Sequence, residues 1–156
     1  MRVYKIQFSQ KIPTNIDQLW EFMSSPYNLQ LITPPDMGFK IVSDLTPETK
    51  MYSGQKITYT LTPLMGIRMQ WVTEIKEVKQ PEYFTDIQLK GPYKRWDHKH
   101  TFTPIEGGVL MEDEVIYALP FGWLGTLFHG PLIKPRLEKI FRYRKKIIED
   151  KFGTMK

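Results

Sequence analysis

Six consecutive segments between residues 39 and 119 show the alternation of apolar and polar side chains that is typical of β-strands. Pro and Gly residues between the segments, such as Pro63, Pro81 and Gly91, indicate turns. The predicted strands span residues 39–44, 55–62, 67–78, 83–90, 95–103 and 109–119. Strands joined by such short turns pair antiparallel, and the resulting sheet must bury its apolar face against a second layer.

A long amphipathic helix near the C-terminus can supply that layer. Its apolar positions recur at helical spacing through Leu137, Phe141 and Ile148. We expect the helix to begin between residues 130 and 135 and to end at Gly153, a residue suited to a C-terminal stop.

The N-terminal part is predicted to add one strand and two short helices. Residues 2–10 alternate like a strand, Thr14 is placed as the N-cap of the first helix, and Ser25-Pro26 opens the second. The element order predicts a single α+β domain over residues 1–156.

Charge and cysteine content narrow the functional classes. The net charge is +5, and from Pro131 onward nine Lys or Arg outnumber three acids. We interpret this excess as a solvated helix face and expect no nucleic-acid partner. No stretch approaches the roughly 20 apolar residues of a membrane span, so no stable membrane insertion is expected. The absence of cysteine, and a start without a signal-peptide pattern, lead us to expect a cytoplasmic location.

The stretch GPYKRWDHKHTF, residues 91–102, concentrates unusual side chains in one strand. Side chains two apart in a strand share a face, so His98 and His100 point the same way between Trp96 and Phe102. The strand therefore predicts an aromatic wall that carries two imidazoles.

The following turn sets the expected register of this wall. A two-residue turn at Gly107-Gly108 would place Phe102 opposite Asp113, with Asp113 diagonal to His100. Asp113 would then be close enough to His100 for a hydrogen bond.

The register of the preceding hairpin is less constrained. We expect one set of alternating residues on the apolar face, namely Tyr83, Thr85, Ile87 and Leu89. The alternative turns the more polar set inward, namely Phe84, Asp86 and Gln88.

The inner face is thus predicted to be a mostly apolar surface with a few polar points, which is the make-up of a small-molecule pocket. The candidate ligand-binding residues are Tyr59, Met69, Trp71, Trp96, His98, His100, Asp113, Tyr117, Phe141 and Arg144. The same side chains could instead simply fill a core, with a His–Asp contact satisfying buried polar groups.

Two kinds of chemistry compete with simple binding. Two His and one Asp could hold a metal, but the chain has no thiolates and His129 is remote in sequence, so we expect neither metal nor cofactor. Acid–base catalysis could use His98 or His100 as base, supported by Asp113 or Tyr117. No nucleophile motif, phosphate loop or dinucleotide fingerprint is present.

Two further features carry alternatives. Arg144 falls on the apolar stripe of the long helix, where such a side chain usually extends its charge to the surface. It could instead pair with an inner carboxylate or with an anionic ligand group. The segment FGWLGTLFHGPL, residues 121–132, is interpreted either as a lid at a cavity mouth or as a packed turn.

The chain resembles the SRPBCC superfamily, which includes START and birch-pollen-allergen-like proteins. Within it, the chain is most similar to bacterial stand-alone ligand-binding proteins grouped with polyketide cyclases and dehydrases. The resemblance rests on GPYKRWDHKHTF, DEVIYALPFGWLG and IFRYRKK.

The resemblance implies a helix-grip fold, in which a curved antiparallel sheet of about seven strands wraps around the C-terminal helix. It also implies a cavity for a hydrophobic small molecule such as a lipid, polyketide or aromatic metabolite. A cofactor-independent cyclase or dehydratase and a protein-interaction module that uses the basic helix remain the alternatives.

Overall fold

The computed structural model describes residues 1–64 and 66–155. Seven strands form one antiparallel sheet in the order β1-β7-β6-β5-β4-β3-β2. The strands are β1 (Tyr4–Ile12), β2 (Lys40–Ile41), β3 (Lys56–Leu64), β4 (Ile67–Lys79), β5 (Tyr83–Lys90), β6 (Arg95–Ile105) and β7 (Gly108–Ala118). The expected strands are all present, and β2 is reduced to two residues.

The first helix, α1 (Ile16–Met23), begins one residue later than expected. Asn15, and not Thr14, is the N-cap: its side-chain oxygen accepts a hydrogen bond from the backbone N–H of Gln18 at 2.8 Å. The Thr14 hydroxyl donates to the Gln18 side chain instead. The second short helix is of the 3₁₀ type and spans Pro26–Leu31.

The long C-terminal helix begins at Lys134, within the expected range, and a short helix precedes it. The whole helical stretch consists of α2 (Trp123–Phe128), one π-helical turn (His129–Ile133) and α3 (Lys134–Phe152). Proline lacks a backbone N–H, and the turn that contains Pro131 is wider than an α-helical one, so the chain continues without a break.

The α3 helix covers the inner face of the sheet with four buried side chains, Leu137, Phe141, Arg144 and Ile148. Phe141 stacks on Phe8 of β1 with ring centroids 4.3 Å apart. No helix among the described residues is long and apolar enough to cross a membrane.

The predicted register of the β6–β7 hairpin is wrong by two residues. Ile105 pairs with Gly108, so Glu106-Gly107 forms the turn and His100 lies directly opposite Asp113. A shift of two residues preserves the faces, so the histidines remain on the inner side. A side chain at Gly108 would collide with the Ile12 carbonyl of β1, which keeps this glycine inside the strand.

The expected orientation of β5 is also wrong. Phe84 pairs with His100 and Asp86 with His98, so the alternative set faces inward and Leu89 is 47% exposed. Burying Asp86 would be costly by itself, but His100 supplies its partner at 2.7 Å. Gln88 bonds instead to the backbone of Tyr93 through both ends of its amide.

Candidate functional site

A cavity of about 160 Å³ lies between the sheet and α3. Its walls are mainly apolar and aromatic, and one group of polar side chains comes from β5, β6 and α3, namely Asp86, His98, His100 and Arg144. Other polar side chains, such as Asn28 and Thr73, lie elsewhere in the lining. Seven of the ten predicted ligand-binding residues line it: Tyr59, Trp71, Trp96, His98, His100, Phe141 and Arg144.

The other three predicted residues lie elsewhere. Asp113 is buried and contacts both histidines without lining the cavity. Tyr117 shares a 2.6 Å hydrogen bond with His129, which stacks on Tyr4, and its ring packs against Tyr93 and Trp96 without itself lining the cavity. Met69 is half-buried on β4 and does not reach the cavity.

Several lining residues come from segments without a strong sequence pattern. Met23 of α1, Leu29 of the following 3₁₀ helix and Met37 of a further 3₁₀ turn (Pro35–Met37) close one side. Tyr93 from the β5–β6 turn contributes another aromatic ring. Tyr93 packs on Trp71 and Trp96, with centroid distances of 5.7 and 4.7 Å. The sequence feature that could have identified Tyr93 is the Gly91-Pro92 turn, because Tyr93 follows it directly and so lies at the end of the sheet.

The two imidazoles are held by two carboxylates. His98 Nε2 lies 2.7 Å from Asp113 Oδ1, and His100 Nε2 lies 2.7 Å from Asp86 Oδ2. His100 Nδ1 is 3.3 Å from the same Asp113 oxygen, so this ring sits between both acids. The imidazoles stack with ring centroids 3.7 Å apart.

This arrangement separates the proton affinities of the two histidines. Burial lowers the pKa of His98, and the neighbouring His100 lowers it further. Burial also acts against protonation of His100, but its pairing with Asp113 and Asp86 outweighs that effect and raises its pKa. Of the two imidazoles, His98 is therefore held more strongly in its neutral form, and His100 takes up a proton more readily.

The carboxylates respond to the same contacts. Burial alone would raise the pKa of Asp113, but its bonds to His100 and His98 lower that pKa strongly. The pKa of Asp86 is lowered in the same way, mainly by His100. Both acids are ionised, which makes them permanent anchors for the imidazoles.

Arg144 is buried rather than extended to the surface, with 8% of its area exposed. Its Nη1 lies 3.7 Å from Asp113 Oδ1, and the guanidinium lies 4.9 Å from the Phe141 ring centroid. The expectation of a surface-directed charge is wrong: the guanidinium lies inside, at ion-pair distance from the inner carboxylate of Asp113 but without a hydrogen bond to it.

Asp86, His98 and His100 are grouped closely enough for a metal, with one ligand atom from each within 4.8 Å of the others. The Nε2 atom of each imidazole is already directed at a carboxylate oxygen at hydrogen-bond distance. A metal would have to displace these protons beside the positive charge of Arg144. The donor set therefore fits a proton-linked network better than a metal centre.

Residues 121–132, all of which the structure describes, do not line the cavity. It is helical from Trp123, and it exposes large side chains, with Phe121 at 81% and Trp123 at 74%. Gly125 lies against the Pro120 carbonyl, so it serves close packing rather than mobility. In the structure, the segment is therefore neither a lid over this cavity nor a fully packed turn.

Comparison with known proteins relates the fold to solved structures. No protein-family model and no curated protein matches the chain by sequence. A START superfamily protein from Mycobacterium smegmatis superimposes with a TM-score of 0.69 at 7% identity, covering 95% of this chain and 96% of that one. The ginseng major latex-like protein 151 from Panax ginseng gives 0.67 at 13% identity, covering 96% and 97%.

A third structure, protein CV1439 from Chromobacterium violaceum, gives a TM-score of 0.71 at 9% identity and covers 97% of this chain and 98% of that one. These similarities extend over nearly the whole chain, so they concern the complete arrangement of sheet and helix. The chain has the helix-grip fold that START superfamily and major latex-like proteins share, as its resemblance to SRPBCC proteins implied.

Proposed function

We propose that the chain binds a small hydrophobic molecule in the cavity between the sheet and α3. The observation that carries this proposal is a mainly apolar cavity between the sheet and the helix with a small number of polar groups in its walls, as in ligand pockets generally. The resemblance to SRPBCC proteins supports the same function. The lack of cysteine supports a reducing, cytoplasmic setting for it.

The cavity volume favours one class of ligand. An apolar cavity of about 150 Å³ holds one benzene molecule, and this cavity measures about 160 Å³. A drug-sized ligand needs roughly 300 Å³ or more. We therefore propose a ligand built around one aromatic ring, in preference to a long-chain lipid or an extended polyketide.

A cavity-filling substitution tests this function. Thr73 lines the cavity on β4, and replacing it with Phe places a ring inside the space. We expect Thr73→Phe to reduce the affinity for toluene and indole at least about tenfold, since the ligand and the new ring compete for one volume. Isothermal titration calorimetry measures the affinity, and native mass spectrometry of the purified protein reveals a retained ligand.

Val72→Phe is the matched control, because Val72 precedes Thr73 on the same strand and does not line the cavity. It should leave the affinities unchanged. Equal affinities for Thr73→Phe and the parent chain, in protein shown to be folded by circular dichroism, would contradict binding in this cavity.

Acid–base catalysis is the second candidate, and the displaced pKa values of the two histidines favour it. Paired groups whose environments drive their pKa values apart are suited to act as base and acid. His98, neutral at the cavity wall, would accept a proton, while His100 would stabilise the developing charge. Such a site would remove a proton adjacent to a carbonyl, as a cyclase or dehydratase requires.

Deuterium exchange into acetophenone tests the catalytic candidate, because this one-ring ketone carries exchangeable protons beside its carbonyl. If His98 is a base, the protein accelerates exchange in D₂O, and His98→Gln slows the accelerated rate by about 100-fold. His129→Gln is the control, since His129 bonds to Tyr117 away from the cavity. Exchange no faster than in protein-free buffer would reject catalysis of this kind and leave binding as the function.

A further inference from the structure

Arg144 is a buried cation whose hydrogen-bonding capacity is largely unused. Its Nε and Nη1 atoms are inaccessible to solvent and have no hydrogen-bond partner among the described residues. The surface residue Arg95 differs: it lies 2.6–2.7 Å from Asp97 through two of its nitrogens. Leaving charged donors buried and unbonded is costly, so such a side chain indicates a missing acceptor.

Asp113 does not supply that acceptor. Arg144 Nη1 lies 3.7 Å from Asp113 Oδ1, which is beyond hydrogen-bond distance. The same oxygen already lies 2.7 Å from His98 Nε2 and 3.3 Å from His100 Nδ1. Asp113 is therefore committed to the imidazoles and acts on Arg144 only as a nearby charge.

A second donor at the cavity is also unpartnered. The indole nitrogen of Trp71 is buried and has no hydrogen-bond partner among the described residues. Trp71 and Arg144 both line the cavity, one from β4 and the other from α3. A buried indole N–H usually finds a partner, so a ligand with acceptor atoms would complement both walls.

The charges of the site determine how an acid can be accommodated. Asp86 and Asp113 are ionised, Arg144 is positive, and contact with the two acids favours the protonated form of His100. The other guanidinium in the lining, that of Arg136, bonds to the Pro63 carbonyl. A carboxylate brings one further negative charge, and His98, which lines the cavity on β6, is a group that can take up a proton to balance it.

We propose that the cavity ligand is a one-ring aromatic carboxylic acid whose carboxylate bonds to the guanidinium of Arg144. This proposal rests on the proposed binding function and names its ligand class. The planar guanidinium matches a carboxylate through two parallel hydrogen bonds. The ring occupies the apolar part of the cavity, between the aromatic side chains of the sheet and Phe141.

Phenylacetate and phenylacetamide form a suitable pair of probes, because they share one shape and differ in charge. Calorimetry on the parent protein should show tighter binding of phenylacetate. Arg144→Met should weaken phenylacetate binding by about 10–100-fold, the value of hydrogen bonds to a charged group. Phenylacetamide should lose less than about threefold, because Met preserves the packing of the stem.

Arg142→Met is the control for a lost positive charge, because Arg142 is exposed on the same helix. Arg144→Lys is the second variant. It keeps the positive charge but removes the planar guanidinium that can form two parallel hydrogen bonds with a carboxylate. It should weaken phenylacetate binding by an intermediate factor, even if Arg144→Met fails to fold.

The outcomes separate this proposal from the proposed function. If Arg144→Met weakens the binding of both probes equally, or if the parent protein binds both with equal affinity, the proposal of a carboxylic-acid ligand is overturned. The proposed binding of a hydrophobic molecule in the cavity would still stand. Failure of toluene, indole and both probes to bind the parent would overturn the binding function itself.

Discussion

Asp113→Asn is expected to lower the free energy of unfolding by about 3–5 kcal/mol at pH 7. Asp113 is 4% exposed, lies at hydrogen-bond distance from His98, and is 3.3 Å from His100 Nδ1 and 3.7 Å from Arg144. Asn keeps the shape but removes the charge, which leaves the positive charges of His100 and Arg144 without their common partner. Urea unfolding followed by Trp fluorescence measures the difference.

Glu112→Gln is the matched control, because Glu112 precedes Asp113 on β7 and is exposed on the other face. It should change stability by no more than about 0.5 kcal/mol. If the two substitutions cost the same, Asp113 is not the anchor of the buried group.

The pH dependence of this loss has a definite sign. The folded protein lowers the pKa of Asp113 from its ordinary value of 3.8, so the unfolded chain binds the proton more readily. The stability contributed by Asp113 is therefore present in full above that value and is lost as the pH falls through the folded pKa. Because Asp113 also raises the pKa of His100, the difference between Asp113→Asn and the parent chain should decrease as the pH rises through the folded pKa of His100, and it should also narrow below about pH 4.

The order of elements and the inner face of β6 could be predicted from sequence because they depend on local patterns. Alternation along β6 places His98 and His100 together, whatever strand lies beside them. The helical period around Phe141 likewise identifies the buried face of α3. These features need no knowledge of distant parts of the chain.

The composition of the polar group could not be predicted, because it depends on contacts between strands. Pattern alone disfavours an inward Asp86, since a buried carboxylate is costly without a partner. The partner, His100, lies on the next strand, and the contact becomes visible only with the β5–β6 register. The burial of Arg144 has the same origin, because it requires Asp113 to face the helix.

The contribution of the short N-terminal helices to the cavity lining could not be predicted, for another reason. Met23 falls on the apolar stripe of α1, which predicts its burial, but the stripe does not say which distant side chains it meets. Leu29 belongs to a 3₁₀ helix too short to show a clear period. The Gly- and Pro-rich composition of the segment before the long helix is compatible with a turn and a short helix, but it does not fix the start of that short helix at Trp123.

Gly107 and Gly108 show how a distant strand decides a local register, and they provide the second large prediction. Two adjacent glycines are compatible with a turn at Gly107-Gly108 and also with a turn at Glu106-Gly107. The structure uses Gly107, with φ of +82°, in the turn and places Gly108 in β7 against the Ile12 carbonyl. A Cβ atom at Gly108 would lie well within 3.0 Å of that backbone, which cannot yield as a side chain can.

Gly108→Ala should therefore destabilise the protein by at least about 2 kcal/mol, as a clash in a well-packed region does. Gly107→Asn should cost no more than about 1 kcal/mol, because Asn tolerates a positive φ and a Cβ there meets only Met155 at 3.5 Å. Thermal and urea unfolding of the two variants compare the positions directly. If Gly108→Ala proved the milder change, Gly108 would belong to the turn. The hairpin would then shift by two residues, and Asp113 would move from opposite His100 to opposite Phe102.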